Sequence, residues 1–124
     1  MDHFTEGMNG TVILPNGCQV QSMILKSQQS PTFTFKQALK TVNIYFFSRS
    51  TMVLSLMPKI NQWIINGWTD QFYEAVIAQL IATGDLELEY RLAGDNPWFE
   101  VDTLEELCLA EMHLRTSPLT RFNK

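Results

Sequence analysis

Thirteen carboxylates, two histidines and two cysteines are the groups in this chain with chemistry of their own. Acid–base catalysis needs some of those carboxylates to converge in a cleft and to titrate away from their usual range. Glu87, Glu89, Asp95, Glu100, Asp102, Glu105, Glu106 and Glu111 instead fall where a strand and a helix turn their wet faces outward. His3 and His113 sit near opposite ends with no cysteine or carboxylate at ligand spacing, so no metal site is expected. Cys18 and Cys108 stand outside any CxxC pattern. Cys108 falls on the apolar stripe of a predicted helix and reads as a small core residue, and a disulfide to Cys18 is the less favoured reading for a cytosolic chain. There is no glycine-rich phosphate loop and no nucleophile elbow. The reading is therefore not an enzyme and no cofactor, with an unrecognised catalytic site as the remote alternative.

Charge is the next signal. Residues 1–62 hold five bases against two acids, a net +3, while residues 63–124 hold four bases against eleven acids, a net −7. An acidic half repels nucleic acid at long range and suits a protein partner with a basic surface. The plainer reading is a solvated, solubilising face. Among the bases, Lys36, Lys40, Arg49 and Lys59 are candidates for a phosphate-contacting patch or for scattered surface charges. Of the tryptophans, Trp63 reads as core, whereas Trp68 and Trp98 are candidate anchors for a partner.

The elements that must carry these residues follow from composition and periodicity. The chain has 124 residues, 45% hydrophobic and 18% charged, which fits one domain with a packed core. Its longest apolar stretch, IYFFSRSTMVLSLM, is broken by Arg49, and the start MDHFTEGMNG is acidic, so neither a membrane span nor a secretory signal is expected and the location expected is cytoplasmic. Residues 1–10 read as a flexible lead-in, and residues 11–25 as a β-hairpin turning at Pro15-Asn16-Gly17. Thr34 with Gln37 forms a capping-box pattern ahead of apolar residues at helical spacing, which predicts a helix over 35–48 with Lys36 and Lys40 on its polar side. Thr51 to Leu56 fits a short strand or the approach to a helix. Pro58 and Gly67 bracket a helix over 58–66 with Ile60, Trp63 and Ile64 on one face. Thr69 caps a helix over 70–82 with ridges Phe72, Val76, Leu80 and Tyr73, Ile77, Ile81, and Gly84 ends it. Leu86, Leu88, Tyr90 and Leu92 alternate with Glu87, Glu89 and Arg91 as a half-buried strand. Ala93 to Pro97 makes a turn, and Trp98 to Val101 returns as the partner strand. Thr103 with Glu106 caps a last helix over 103–115 with the stripe Leu104, Leu107, Cys108 and Met112, and 117–124 is a tail.

The order helix, short strand, helix, tight turn, helix and hairpin over residues 35–101 resembles the winged-helix family of helix-turn-helix domains. Within it, MPKINQWIINGWTDQFYEAVIAQLIATGDLELEY looks like the second helix, turn, third helix and first wing strand. The resemblance implies a winged-helix-like three-helix core with a C-terminal β-hairpin wing, and the N-terminal β-hairpin and C-terminal helix are additions to that core, so the fold expected is α+β in a single domain. It also implies a third helix in the DNA major groove, with Gln71 and Gln79 reaching base edges and Lys36, Lys40 and Arg91 on the backbone. The charges disfavour that contact, since Asp70 and Glu74 face outward on the same helix. The function expected is a small non-catalytic protein-binding module, of adaptor, inhibitor or immunity type. Its surface is the acidic helix and wing carrying Asp70, Gln71, Glu74, Glu87, Glu89, Asp95 and Trp98, and a DNA-binding regulator is the alternative. The 103–115 helix is a candidate for pairing with its own copy.

Overall fold

An apolar, β-branched run at Val12–Asn16 and a partly alternating run at Gln19–Ile24 make two strands that pair as an antiparallel hairpin (β2 and β3). Val12 stands opposite Ile24 and Ile13 opposite Met23, and the register slips by one between Leu14 and Pro15. Proline has no N–H for the ladder, which makes this a natural site for the bulge. The strand continues through Asn16, so the chain turns at Gly17 and Cys18, later than the Pro15–Gly17 expectation.

The structure, a computed structural model, describes residues 1–4, 8–94 and 98–116. The chain divides into two compact units, Met1–Gly94 and Asp95–Lys124. In the first, β1 (Asp2–His3) and β4 (Leu39–Lys40) complete a four-stranded antiparallel sheet of order β1-β4-β2-β3. The fold is thus mixed α+β. The lead-in is tied down where it was expected to be loose: Asp2 pairs with Lys40 and His3 with Leu39.

No helix forms over 35–48. Ala38, Leu39, Lys40 and Thr41 are buried in succession, because β4 lies between two strands and packs on both sides. A helix would turn half of those residues to water. Sheet pairing overrides the helical spacing here, and Asn43, at a φ of 55°, sits in a conformation no helix admits.

Helical structure starts instead at Arg49. Ser48 caps it by accepting the Thr51 N–H at 3.1 Å, and the chain runs Arg49–Thr51 (α), Met52–Leu56 (a π-turn) and Met57–Ile65 (α) without a break. The Thr51–Leu56 run is therefore helix, not strand. Gly67, at a φ of 78°, lets the Trp68 N–H return to the Trp63 carbonyl at 2.9 Å and closes the helix where the sequence places its end.

The next helix, Tyr73–Ala82, starts later than the Thr69 cap predicts, with Phe72 at its N-cap and no side-chain cap bond. Its inward face is Ala75, Val76, Ile77 and Leu80, packed across β3. The core gathers these with Ile13, Val20, Met23, Leu39, Leu56, Leu86 and Leu88. Phe72, expected on the buried ridge, is 80% exposed because it precedes the helix.

Leu86 and Leu88 are buried while Glu87 and Glu89 are exposed, as the period-two pattern requires. Their partner differs from the one expected. The Val20 N–H donates to the Leu88 carbonyl at 2.7 Å, the Tyr90 N–H donates to Cys18, and Gln19 bridges Glu89. The segment then reaches the chain start, where the Ala93 N–H donates to the Met1 carbonyl. It seals the end of the N-terminal hairpin, and Trp98–Val101 forms no strand. The wing is absent among the described residues because the first hairpin supplies the hydrogen bonds that a second would have used. The predicted turn residues Asp95, Asn96 and Pro97 lie outside the described residues, as does the 117–124 tail.

In the second unit the capping box at Thr103 forms as its sequence specifies. The Glu106 N–H donates to the Thr103 hydroxyl at 3.2 Å, and the Glu106 carboxylate accepts the Thr103 N–H at 2.9 Å and the Asp102 N–H at 2.8 Å. Helix Leu104–Thr116 follows. Its predicted stripe does not form a core: Leu104, Leu107, Cys108 and Met112 are exposed and Ala110 is buried. So short a unit has too little apolar partner surface of its own. Cys18 and Cys108 are both free and exposed, which corrects the core reading of Cys108.

Candidate functional site

Glu74 is the residue whose position differs most from its predicted role. Its carboxylate accepts two short hydrogen bonds, from the Thr11 hydroxyl and from the Tyr45 hydroxyl, both at 2.6 Å. The three elements that supply these groups are the start of the N-terminal hairpin, the loop after β4 and the first turn of helix Tyr73–Ala82. A carboxylate so placed also sits at the positive end of the helix dipole. Burial, followed by the bond to Glu74, pushes the Tyr45 hydroxyl well above its ordinary range. Tyr45 therefore donates and stays neutral, and the group is a latch between sheet and helix, not a free acidic contact.

The other residues singled out for a partner separate into two sets. Asp70, Gln71, Glu87 and Glu89 are exposed, with the Gln71 amide donating to Asp70 at 3.2 Å and Glu89 paired to Arg91 at 3.5 Å. Trp98, in the second unit, is half-buried. Asp95 lies outside the described residues.

The residues assigned to nucleic acid are scattered. Lys40 is only 3% exposed, because β4 is an inner strand. A Cβ on Gly10, whose φ is 105°, would come within 2.7 Å of the Lys40 ammonium nitrogen, so the loop leaves just enough room for that group. Gln79 accepts the Trp63 indole N–H at 3.0 Å and is turned toward the neighbouring helix. Lys36, Gln71 and Arg91 remain exposed.

The sequence reading missed an exposed apolar ridge. Helix Met57–Ile65 contains no buried residue. Ile60 and Trp63 lean on the core, but Met57, Ile64 and Ile65 face outward, and Ile64 was expected inside. Val53 and Leu54 are bare in the turn before, and Trp68 and Phe72 in the turn after. Trp68 is 52% exposed, with its ring edge-on to Trp63 at 5.6 Å. The available signal was the width of the apolar side of Met52–Ile65, where Val53, Leu54, Met57, Ile64 and Ile65 add to Leu56, Ile60 and Trp63 and exceed what one core contact can cover.

Among the described residues no group of three or more His, Cys, Asp or Glu is placed to hold a metal ion. Among the described residues no helix is long and apolar enough to cross a membrane. Comparison of the chain with protein-family models, with curated proteins and with solved structures finds no match.

Proposed function

We propose that this chain is a small non-catalytic protein-binding module whose contact surface is the apolar ridge of helix Met57–Ile65, extended by Leu54, Trp68 and Phe72. The carrying observation is a nine-residue helix, with three isoleucines and one tryptophan, that fully buries none of its residues. Monomers rarely leave contiguous apolar area beyond a few hundred Å² uncovered. Half a dozen large side chains at this exposure amount to roughly 600–1,000 Å², close to the ~800 Å² each partner gives to a standard interface. Asp70 lies between Trp68 and Phe72 in the chain, and with Glu87 and Glu89 it favours a partner that sets basic groups around an apolar stripe. The acidic surface becomes a modifier of this contact and no longer its centre, since Glu74 is engaged internally.

Helix Met57–Ile65, its turn and helix Tyr73–Ala82 are what we retain of the winged-helix resemblance. DNA binding has lost Lys40 and Gln79 from its candidate contacts and draws no support from the remaining bases.

The test compares three baits: wild type, the pair Leu54→Glu with Ile65→Glu, and the pair Glu87→Lys with Glu89→Lys. A partner lost with the first pair and kept with the second supports the ridge. The reverse pattern returns the contact to the acidic surface. Light scattering over a concentration series addresses self-association. A doubling of mass lost in Ile65→Glu makes the partner a second copy, and one lost only in Leu107→Glu assigns pairing to helix Leu104–Thr116.

A further inference from the structure

We propose that an open cleft in the first unit, separate from the ridge, binds a small aromatic anion: a flat ring carrying a carboxylate or a phosphate. The cleft has a volume of about 530 Å³ and lies among the end of β1, the approach to β4 and the Tyr90–Leu92 segment. That volume falls within the range of about 300–1,000 Å³ that small-molecule sites occupy.

Its walls are aromatic and held in place. Phe4 and Phe35 stack with centroids 4.2 Å apart and planes 17° from parallel, and Phe33 braces Phe35 edge-on at 4.9 Å. Across the cleft, the Tyr90 hydroxyl donates to the Gly17 carbonyl at 3.1 Å, which fixes the ring. Leu39 closes the floor from β4. A flat ring entering here meets aromatic faces and edges that need little rearrangement to receive it.

The polar groups select charge. His3, Lys36 and Gln37 line the cleft, and among the described residues no carboxylate does. In a chain of net charge −4 that is a local reversal of sign. Lys36 is exposed, so its ammonium reaches a ligand without the cost of unburying it. A neutral aromatic would use the walls alone, while an anion also gains a charge-assisted contact from Lys36 and a donor from Gln37.

The test is calorimetric titration of the full chain with 1-naphthoate, 1-naphthyl phosphate and neutral 1-naphthylmethanol, with amide shift mapping of the bound residues. We expect the better anion to bind at least about tenfold more tightly than the alcohol, the effect of one charge-assisted contact. The better of the two anions identifies the head group. Shifts should concentrate at residues 3–4, 35–39 and 90–92. Lys36→Glu, on an exposed side chain, should retain the circular dichroism of the wild type and lose about tenfold in affinity for the anion. Phe35→Ala should weaken all three probes. Equal binding of alcohol and anions, unchanged affinity in folded Lys36→Glu, no binding of any probe at millimolar concentration, or loss of binding in Ile65→Glu would each overturn the proposal. If Phe35→Ala does not fold, Lys36→Glu and the alcohol decide alone.

Discussion

Helices Tyr73–Ala82 and Met57–Ile65 are nearly equal in length, both apolar, and joined by one turn, yet they meet opposite environments. The first buries Ala75, Val76, Ile77 and Leu80 against the sheet. The second buries nothing fully and leaves Ile65 84% exposed. The helix-side face of the sheet, with Ile13, Val20, Met23 and Leu39, is filled by the later helix together with Leu56 and the Leu86–Leu88 segment. What remains outside on the earlier helix, Met57, Ile64 and Ile65, is left exposed. Apolarity specifies that a residue prefers burial; the number of available faces decides which residues obtain it.

The sharpest way to break this contrast is a matched pair of truncations. Ile77→Ala, at a side chain only 1% exposed, should cost about 2–5 kcal/mol, while Ile65→Ala should change the isolated chain by less than about 0.5 kcal/mol. Urea unfolding measures both, and equal costs would mean that the ridge is covered in solution.

The latch comes next in size. Glu74→Ala leaves the Thr11 and Tyr45 hydroxyls without their acceptor and should cost about 1–3 kcal/mol. Tyr45→Phe should cost less, and it should also alter the alkaline limb. The Tyr45 hydroxyl titrates higher in the folded chain than in the unfolded one. Its stabilising effect is therefore complete below the unfolded value near pH 10 and declines as pH rises toward the folded value. Unfolding curves of wild type and Tyr45→Phe should converge above that pH; parallel curves would separate Tyr45 from the latch.

Gly10→Ala tests whether the loop is fitted to Lys40. The positive φ and the close ammonium predict a loss of about 1–2 kcal/mol, read from a thermal midpoint.

The smallest effect belongs to the second unit. Glu106 is held below the usual carboxylate range chiefly by the Asp102 N–H, with the Thr103 hydroxyl and N–H adding to it. Its contribution is present above the unfolded value and is lost as pH falls through the folded one. Helicity of Leu104–Thr116 should therefore drop slightly on acidification. Glu106→Gln should lose that dependence, and circular dichroism of the two chains from pH 6 to pH 2 provides the check.

Legibility followed the range of the interactions. Thr103 with Glu106, Gly67 and Gly84 act within one helical turn, and the structure places helix ends where those residues predict. The acidic candidates Asp70, Glu87 and Glu89 read correctly as exposed for a similar reason: period and polarity fix which side of a strand or loop faces water. Lys40, Glu74 and Gln79 read wrongly, because each is occupied by a position distant in the chain: the inner place of β4, the hydroxyls of Thr11 and Tyr45, and the indole of Trp63.

The amino-acid order by itself determined the N-terminal hairpin, the helix ends at Gly67 and Gly84, the helix start at Thr103, the alternation over Leu86–Leu92 and the acidic second half. These depend on backbone sterics, capping and pattern, all local quantities. Only the tertiary structure decided that residues 38–41 form an inner strand instead of a helix, that Leu86–Tyr90 seals the first hairpin instead of making a wing, and which side of Met57–Ile65 stays bare. Each of those outcomes is a competition between distant segments for one apolar face or one row of hydrogen bonds, and local spacing does not encode the winner.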